Sequence, residues 1–191
     1  QGLLKMLDMS GTKSFKENFM DLNIVPLSIS YEYEPCDARK ARELLISRTQ
    51  KYVKTKNEDV HSIIIGMRQP KGNIHLNIGK SLTAEEIEAA SYCDKNDRYQ
   101  AIRHAVDKRV IEGYRLWKTN YMGYDLANHS YKYSDMYTPE DVASFTSYID
   151  HKLNTVESSL NRADLRDILL RIYGNPVACK EKFKEEEANK Q

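Results

Sequence analysis

The sequence predicts a short α/β front with few strands, followed by an all-helical region. Three observations carry that reading. Residues Leu22–Tyr33 are rich in β-branched side chains; Ile74, Leu76 and Ile78 alternate with Asn73, His75 and Asn77; and from Thr83 onward apolar residues recur at helical spacing between capping signals. With 191 residues the chain is long enough to bury a real core. Its expected parts are the front at 1–82, a helical region at 83–176, and a charged tail at 177–191 that should fray.

The elements follow in order. Leu3, Leu4, Met6, Leu7 and Met9, then Phe15, Phe19 and Leu22, form two apolar groups that Gly11 separates into two short helices. Leu22–Tyr33 is the first strand, with Pro26 inside it, a position a buried strand rarely tolerates unless the chain turns, ends or meets a ligand there. Asp37 is a candidate N-cap for a helix from Ala38 to about Lys54, with Ala41, Leu44, Leu45 and Val53 as its inner face. Val60, Ile63, Ile64 and Met67 form a helical stripe. The run Ile63-Ile64-Ile65 alone would suit a strand, but a short helix ended by Pro70 and Gly72 fits better.

After the alternating strand at Ile74–Ile78, Thr83 and Glu86 make a capping box for a helix through Ala90. Asn96 to about Trp117 is the longest expected helix, with Ile102, Ala105, Val106, Val110, Ile111 and Leu116 inward. The polar, tyrosine-rich stretch from Asn120 to Tyr137 reads as loop. Thr138-Pro139 opens a helix to about Leu160, and another over Ala163–Tyr173 is stopped by Gly174-Asn175-Pro176. Two or three strands are too few for an independent sheet of ordinary size, which points to further strands ahead of Gln1. The apolar opening "GLLKML" also reads as a chain entered partway.

Composition narrows the function. With 29 basic against 28 acidic residues no global field draws nucleic acid, so nucleic acid is not an expected partner. Cys36, Cys93 and Cys179 are far apart, without the spacing of a zinc knuckle or disulfide framework, and a reducing compartment fits. No apolar run approaches the ~20 residues of a membrane-spanning helix. None of the five histidines has a neighbour at ligand spacing, so no metal is expected, and His104 with Asp107 reads as a solvated helical pair. "GMRQPKG" lacks the phosphate-loop pattern and reads as a turn. The tyrosines between Gly113 and Tyr137, interleaved with Arg115, Lys118 and Lys132, read as a packed loop before a base-stacking surface.

One stretch carries a family resemblance. "NIVPLSISYEYEPCD", Asn23–Asp37, resembles the fourth conserved block of the glycerolipid acyltransferases, in which an apolar pair precedes a proline and small aliphatics. "QGLLKML" is similar to the segment after that family's third block, and "KGNIHLNIGKSL" to a later strand and turn. "YGNPVACK", Tyr173–Lys180, is similar to the C-terminal region of a Bacteroidetes subgroup. The resemblance implies the C-terminal part of an acyltransferase-type α/β domain. Its parent enzyme would move a fatty acyl group from acyl-CoA or acyl-carrier protein, as substrate and without a bound cofactor, to a glycerophosphate-like hydroxyl.

The same resemblance implies an acyl or acceptor pocket at Ile24, Val25, Pro26, Leu27, Ser28 and Tyr31, with Pro26 ending or bending the strand so that Val25, Leu27 and Ile29 form an apolar wall. The family's His-x-x-x-x-Asp block is missing: the residues five past the histidines are Gly66, Lys80, Arg109, Ser134 and Val156. The Glu-Gly-Arg block is missing too. Both are expected upstream of Gln1, so this chain alone should be inactive, with the upstream part of its own chain as partner. Self-association and peripheral contact with the inner face of the membrane from the cytoplasm are further expectations. The alternative is a non-catalytic protein-interaction module built on the tyrosine-rich loop.

Overall fold

The computed structural model describes residues 2–9, 11 and 13–189. Residues 1, 190 and 191, included in the expected front and tail, lie outside the described residues. The chain is mostly helical with one small antiparallel sheet. In order come α1 (Gly2–Met9), α2 (Phe15–Leu22), β1 (Leu27–Tyr31), α3 (Asp37–Ser47), α4 (Glu58–Arg68), β2 (Ile74–Ile78), α5 (Ala84–Ser91), α6 (Asp97–Gly113), α7 (Lys118–Asn128), a 3-10 turn (Ser134–Met136), α8 (Pro139–Asn154) and α9 (Arg162–Ala188). These residues form two compact units, one of Gln1–Ser30 with His75–Arg115 and one of Tyr31–Ile74 with Leu116–Gln191.

In the first unit, Ser14 and Glu17 form a capping box that starts α2, and Asn23, in the left-handed region at φ 43°, ends it with its N–H on the Met20 carbonyl. The core gathers Phe15, Phe19, Leu82, Ile87, Ala90, Tyr99 and Ile102. Phe15 meets Phe19 at 4.6 Å between ring centroids and Tyr99 edge-on at 5.7 Å. Full burial of a side chain like Phe19 or Ile102 stabilises by about 2–3 kcal/mol. The expected Thr83–Glu86 box starts α5, and Arg109 of α6 grips the same Glu86 with two nitrogens at 2.7 and 3.0 Å. α6 is shorter than expected and fully buries only Tyr99 and Ile102; Leu116 lies beyond its end.

β1 is also shorter than the expected Leu22–Tyr33, because α2 and its cap consume the first residues and Pro26 cannot donate to a ladder. Gly79 N donates to Pro26 O at 2.9 Å and Leu82 N to Ile24 O at 3.1 Å. That register sets Leu27 opposite Ile78, Ser28 opposite Asn77 and Ile29 opposite Leu76. Half-burial of β2 was expected; the side it buries is not the apolar one. Leu27, Ile29, Leu76 and Ile78 are between 48 and 70 % exposed, while Ser28 and Ser30 are buried.

The second unit is a helical bundle around Met122, Phe145, Ile149, Leu165, Leu169 and Tyr173, with Ala41 of α3 against them. α3 ends at Ser47, well before Lys54, and leaves Leu44 and Val53 exposed, since only its Ala41 and Leu45 side reaches the core. Two larger departures from expectation lie here. α7 occupies much of the expected loop, and α9 continues through Gly174-Asn175-Pro176 to Ala188, so the tail is ordered helix that buries Phe183. The cause is a close crossing of α7 and α9: a Cβ on Gly123 would sit 2.6 Å from Tyr173 Cβ, and one on Gly174 would sit 2.8 Å from Tyr124 Cα. Here glycine permits contact between helix backbones and does not terminate a helix.

Candidate functional site

The six residues of the proline block run from the end of α2 to the end of β1. Ile24 is half-buried against the Phe15–Phe19 cluster. Pro26 is buried and accepts from Gly79 without returning a hydrogen bond, and β1 starts at Leu27. Pro26 therefore stands just ahead of β1, not inside it. Val25, Leu27 and Ile29 alternate outward and form an open apolar face with Leu76 and Ile78. Ser28 points the other way, toward α6, where a Cβ on Gly113 would lie 2.9 Å from its Oγ. Ser28 and Ser30 hydroxyls find no partner among the described residues. In the other unit, Tyr31 ends β1 half-buried. The structure thus brings Val25, Leu27 and Ile29 onto one surface and sets Ser28 apart from them.

A polar cluster around Asp37 was not singled out in the sequence. Asp37 is the first residue of α3 and Cys36 its cap, which corrects the expected N-cap. The Asp37 carboxylate is only 1 % exposed. Its Oδ2 accepts from Tyr148 Oη at 2.7 Å and Tyr173 Oη at 2.8 Å. Its Oδ1 accepts from Ala38 N at 2.7 Å and lies 3.4 Å from Lys152 Nζ. Glu34 N in turn donates to Tyr173 Oη at 3.1 Å. Burial first, and the Asp37 charge second, push both tyrosine hydroxyls well above their ordinary range, so they stay protonated donors.

A cavity of about 610 Å³ opens beside this cluster, lined by Tyr33, Arg39, Ile65, Tyr148, His151 and Lys152 among others. Tyr33 packs on Tyr148 at 4.7 Å between centroids. Three hydrogen bonds and the nearby Lys152 ammonium, all from within this unit, occupy the Asp37 carboxylate. Its chemistry is that of a tie, joining α3 to α8 and α9. The signal for it was present: Tyr148 and Tyr173 lie on the buried stripes of α8 and α9, and a buried tyrosine hydroxyl needs a polar partner.

The tyrosine-rich segment is likewise spent internally. Asp125 accepts from Ser130 Oγ at 2.5 Å, Tyr133 N at 2.8 Å and Tyr137 Oη at 2.7 Å. Lys132 and Tyr133 both bond Glu181 of α9. Tyr131 remains exposed. Among the described residues no three acidic, histidine or cysteine side chains gather as a metal site, and no helix is long and apolar enough to cross a membrane. No protein-family description, no curated protein and no solved structure matches the chain.

Proposed function

We propose that this chain is the C-terminal part of a glycerolipid-type acyltransferase, and that the apolar sheet face is one wall of its acyl or acceptor pocket. The observation that carries the reading is the orientation of the sheet. Val25, Leu27, Ile29, Leu76 and Ile78 face outward around the block that resembles the family's, while its serines face inward. A two-stranded ribbon with that polarity is marginal alone and suits a larger sheet whose other strands come from upstream.

In the complete enzyme the acceptor hydroxyl attacks the thioester carbonyl of acyl-CoA or acyl-carrier protein, and the thiol leaves. By the family resemblance, the base and the phosphate-holding arginine come from the upstream part, its partner in the cytoplasm. This chain supplies wall and no proton-transfer group, so by itself it transfers nothing. The alternative, a non-catalytic interaction module, would have to use the exposed Tyr131, since Tyr133 and Tyr137 are held by Glu181 and Asp125.

The test is to read the coding sequence ahead of Gln1 and assay the encoded protein for acyl transfer from acyl-CoA to glycerol 3-phosphate and to lysophosphatidate. A His-x-x-x-x-Asp block upstream, activity in the longer protein, and a loss of about tenfold or more in kcat/KM with Leu27→Asp are expected. An upstream sequence without that block, or full activity of Leu27→Asp, would sink the reading.

A further inference from the structure

Among the described residues α4 is the one α-helix of the second unit without a buried residue, yet it is amphipathic. Val60, Ile63, Ile64 and Met67 fall within an arc of about 100°. All four are turned outward, between 42 and 76 % exposed. The opposite side, Ser62 and Gly66, faces Cys36, whose Sγ lies 3.5 Å from the Ser62 carbonyl. The stripe is therefore displayed by a helix that is anchored through its other face.

Charge around the stripe is one-sided. Glu58 is bonded by Tyr52 and Thr55, and Asp59 is paired with Lys54 at 2.7 Å. Lys56, Arg68 and Lys71 have no carboxylate partner among the described residues, and His61 stands on the same edge of the helix as Arg68. Lys71 reaches back to the Met67 and Gln69 carbonyls, which keeps it at the C-terminal end of the stripe. An apolar stripe bordered by unpaired cations on long stems matches an anionic lipid surface. A second copy docking stripe to stripe would bring the same cations against each other.

We propose that α4 docks this chain peripherally on anionic lipid, with Val60, Ile63, Ile64 and Met67 entering the headgroup boundary and Lys56, Arg68 and Lys71 meeting lipid phosphates. The attachment is reversible, because one short helix inserts little apolar area and is helped by only a few charges. It does not rest on the acyltransferase reading and would hold for any enzyme or module carrying this helix.

The test is sedimentation of the 191-residue chain with vesicles of phosphatidylcholine alone and of phosphatidylcholine with about one-third phosphatidylglycerol. Binding to the anionic vesicles should be at least about tenfold tighter and weaken as salt rises. Ile63→Asp with Met67→Asp should abolish it. Arg68→Gln and Lys71→Gln should each weaken it by about fivefold, leaving binding to neutral vesicles unchanged. Because these side chains are exposed, the circular dichroism spectrum and melting temperature of each variant should match the parent. Equal or absent binding to the two vesicle types overturns the proposal, as does binding indifferent to the α4 substitutions. So does an α4-dependent dimer without vesicle binding. Where the coding sequence continues ahead of Gln1, the same variants in the longer product separate one more case: if they matter only in the shorter chain, the upstream part covers the stripe and the proposal fails.

Discussion

Asp37 shows how one residue can be read correctly in kind and wrongly in role. An acidic residue at the start of a helix is favoured by the helix dipole wherever it sits, so the sequence marks the helix start and not the three side chains that converge on the carboxylate. Those come from positions more than a hundred residues away, Tyr148, Lys152 and Tyr173. The cluster makes stability depend on pH with a definite sign. Tyr148 and Tyr173 are raised above the ordinary value near 10, first by burial and then by Asp37, and Tyr133 and Tyr137 are pushed up to about 12, by burial first and then by Glu181 and Asp125. A group raised in the fold gives stability that is complete below its unfolded pKa and is lost as pH rises toward the folded one. Stability should hold up to about pH 10 and fall above it, each such tyrosine adding at most about 1.4 kcal/mol per pH unit. Denaturant midpoints between pH 8 and 11 measure the slope, and Tyr148→Phe should flatten it. A slope unchanged by that substitution would show that Tyr148 ionises as freely in the fold as outside it.

At the level of elements, starts were more legible than ends. Thr83–Glu86 and Thr138–Pro139 announce α5 and α8 because a cap is a local event, decided by side chains within one turn. The end of α9 was misread because Gly174 and Pro176 each carry a local stop signal that a distant helix overrides. Positions two residues apart should therefore respond with opposite signs. Gly174→Ala gains about 1 kcal/mol of helix propensity. Its Cβ, however, would press on Tyr124 backbone atoms at 2.8 Å, which cannot swing aside, so a net loss of about 1–3 kcal/mol is expected. Pro176→Ala restores an interior helical hydrogen bond and should stabilise by about 1–3 kcal/mol. Urea unfolding of the two variants checks both; a stabilised Gly174→Ala would mean that the Tyr124 backbone yields to a Cβ at 2.8 Å.

Across the whole molecule, alternation in β2 revealed that one side of the strand is apolar but not which side the fold would bury. Period-two patterning records a difference between faces, and the assignment of the apolar face to the interior assumes that the interior lies within the chain. Here α6 comes close to the serine side at Gly113, leaving Leu27, Ile29, Leu76 and Ile78 outward. An exposed patch of this kind drives association whenever its natural cover is absent. Ile29→Thr with Leu76→Thr replaces a facing pair with β-branched residues suited to a strand. Both side chains are about half exposed, so the melting temperature should stay within a few degrees of the parent. Hydrophobic-dye fluorescence and the concentration-dependent rise in mass by light scattering should both fall, α4 contributing an equal background in the two proteins. If the double substitution instead lowers the melting temperature sharply and leaves dye binding unchanged, the face is already covered inside this chain, and a pocket wall completed from upstream loses its physical basis.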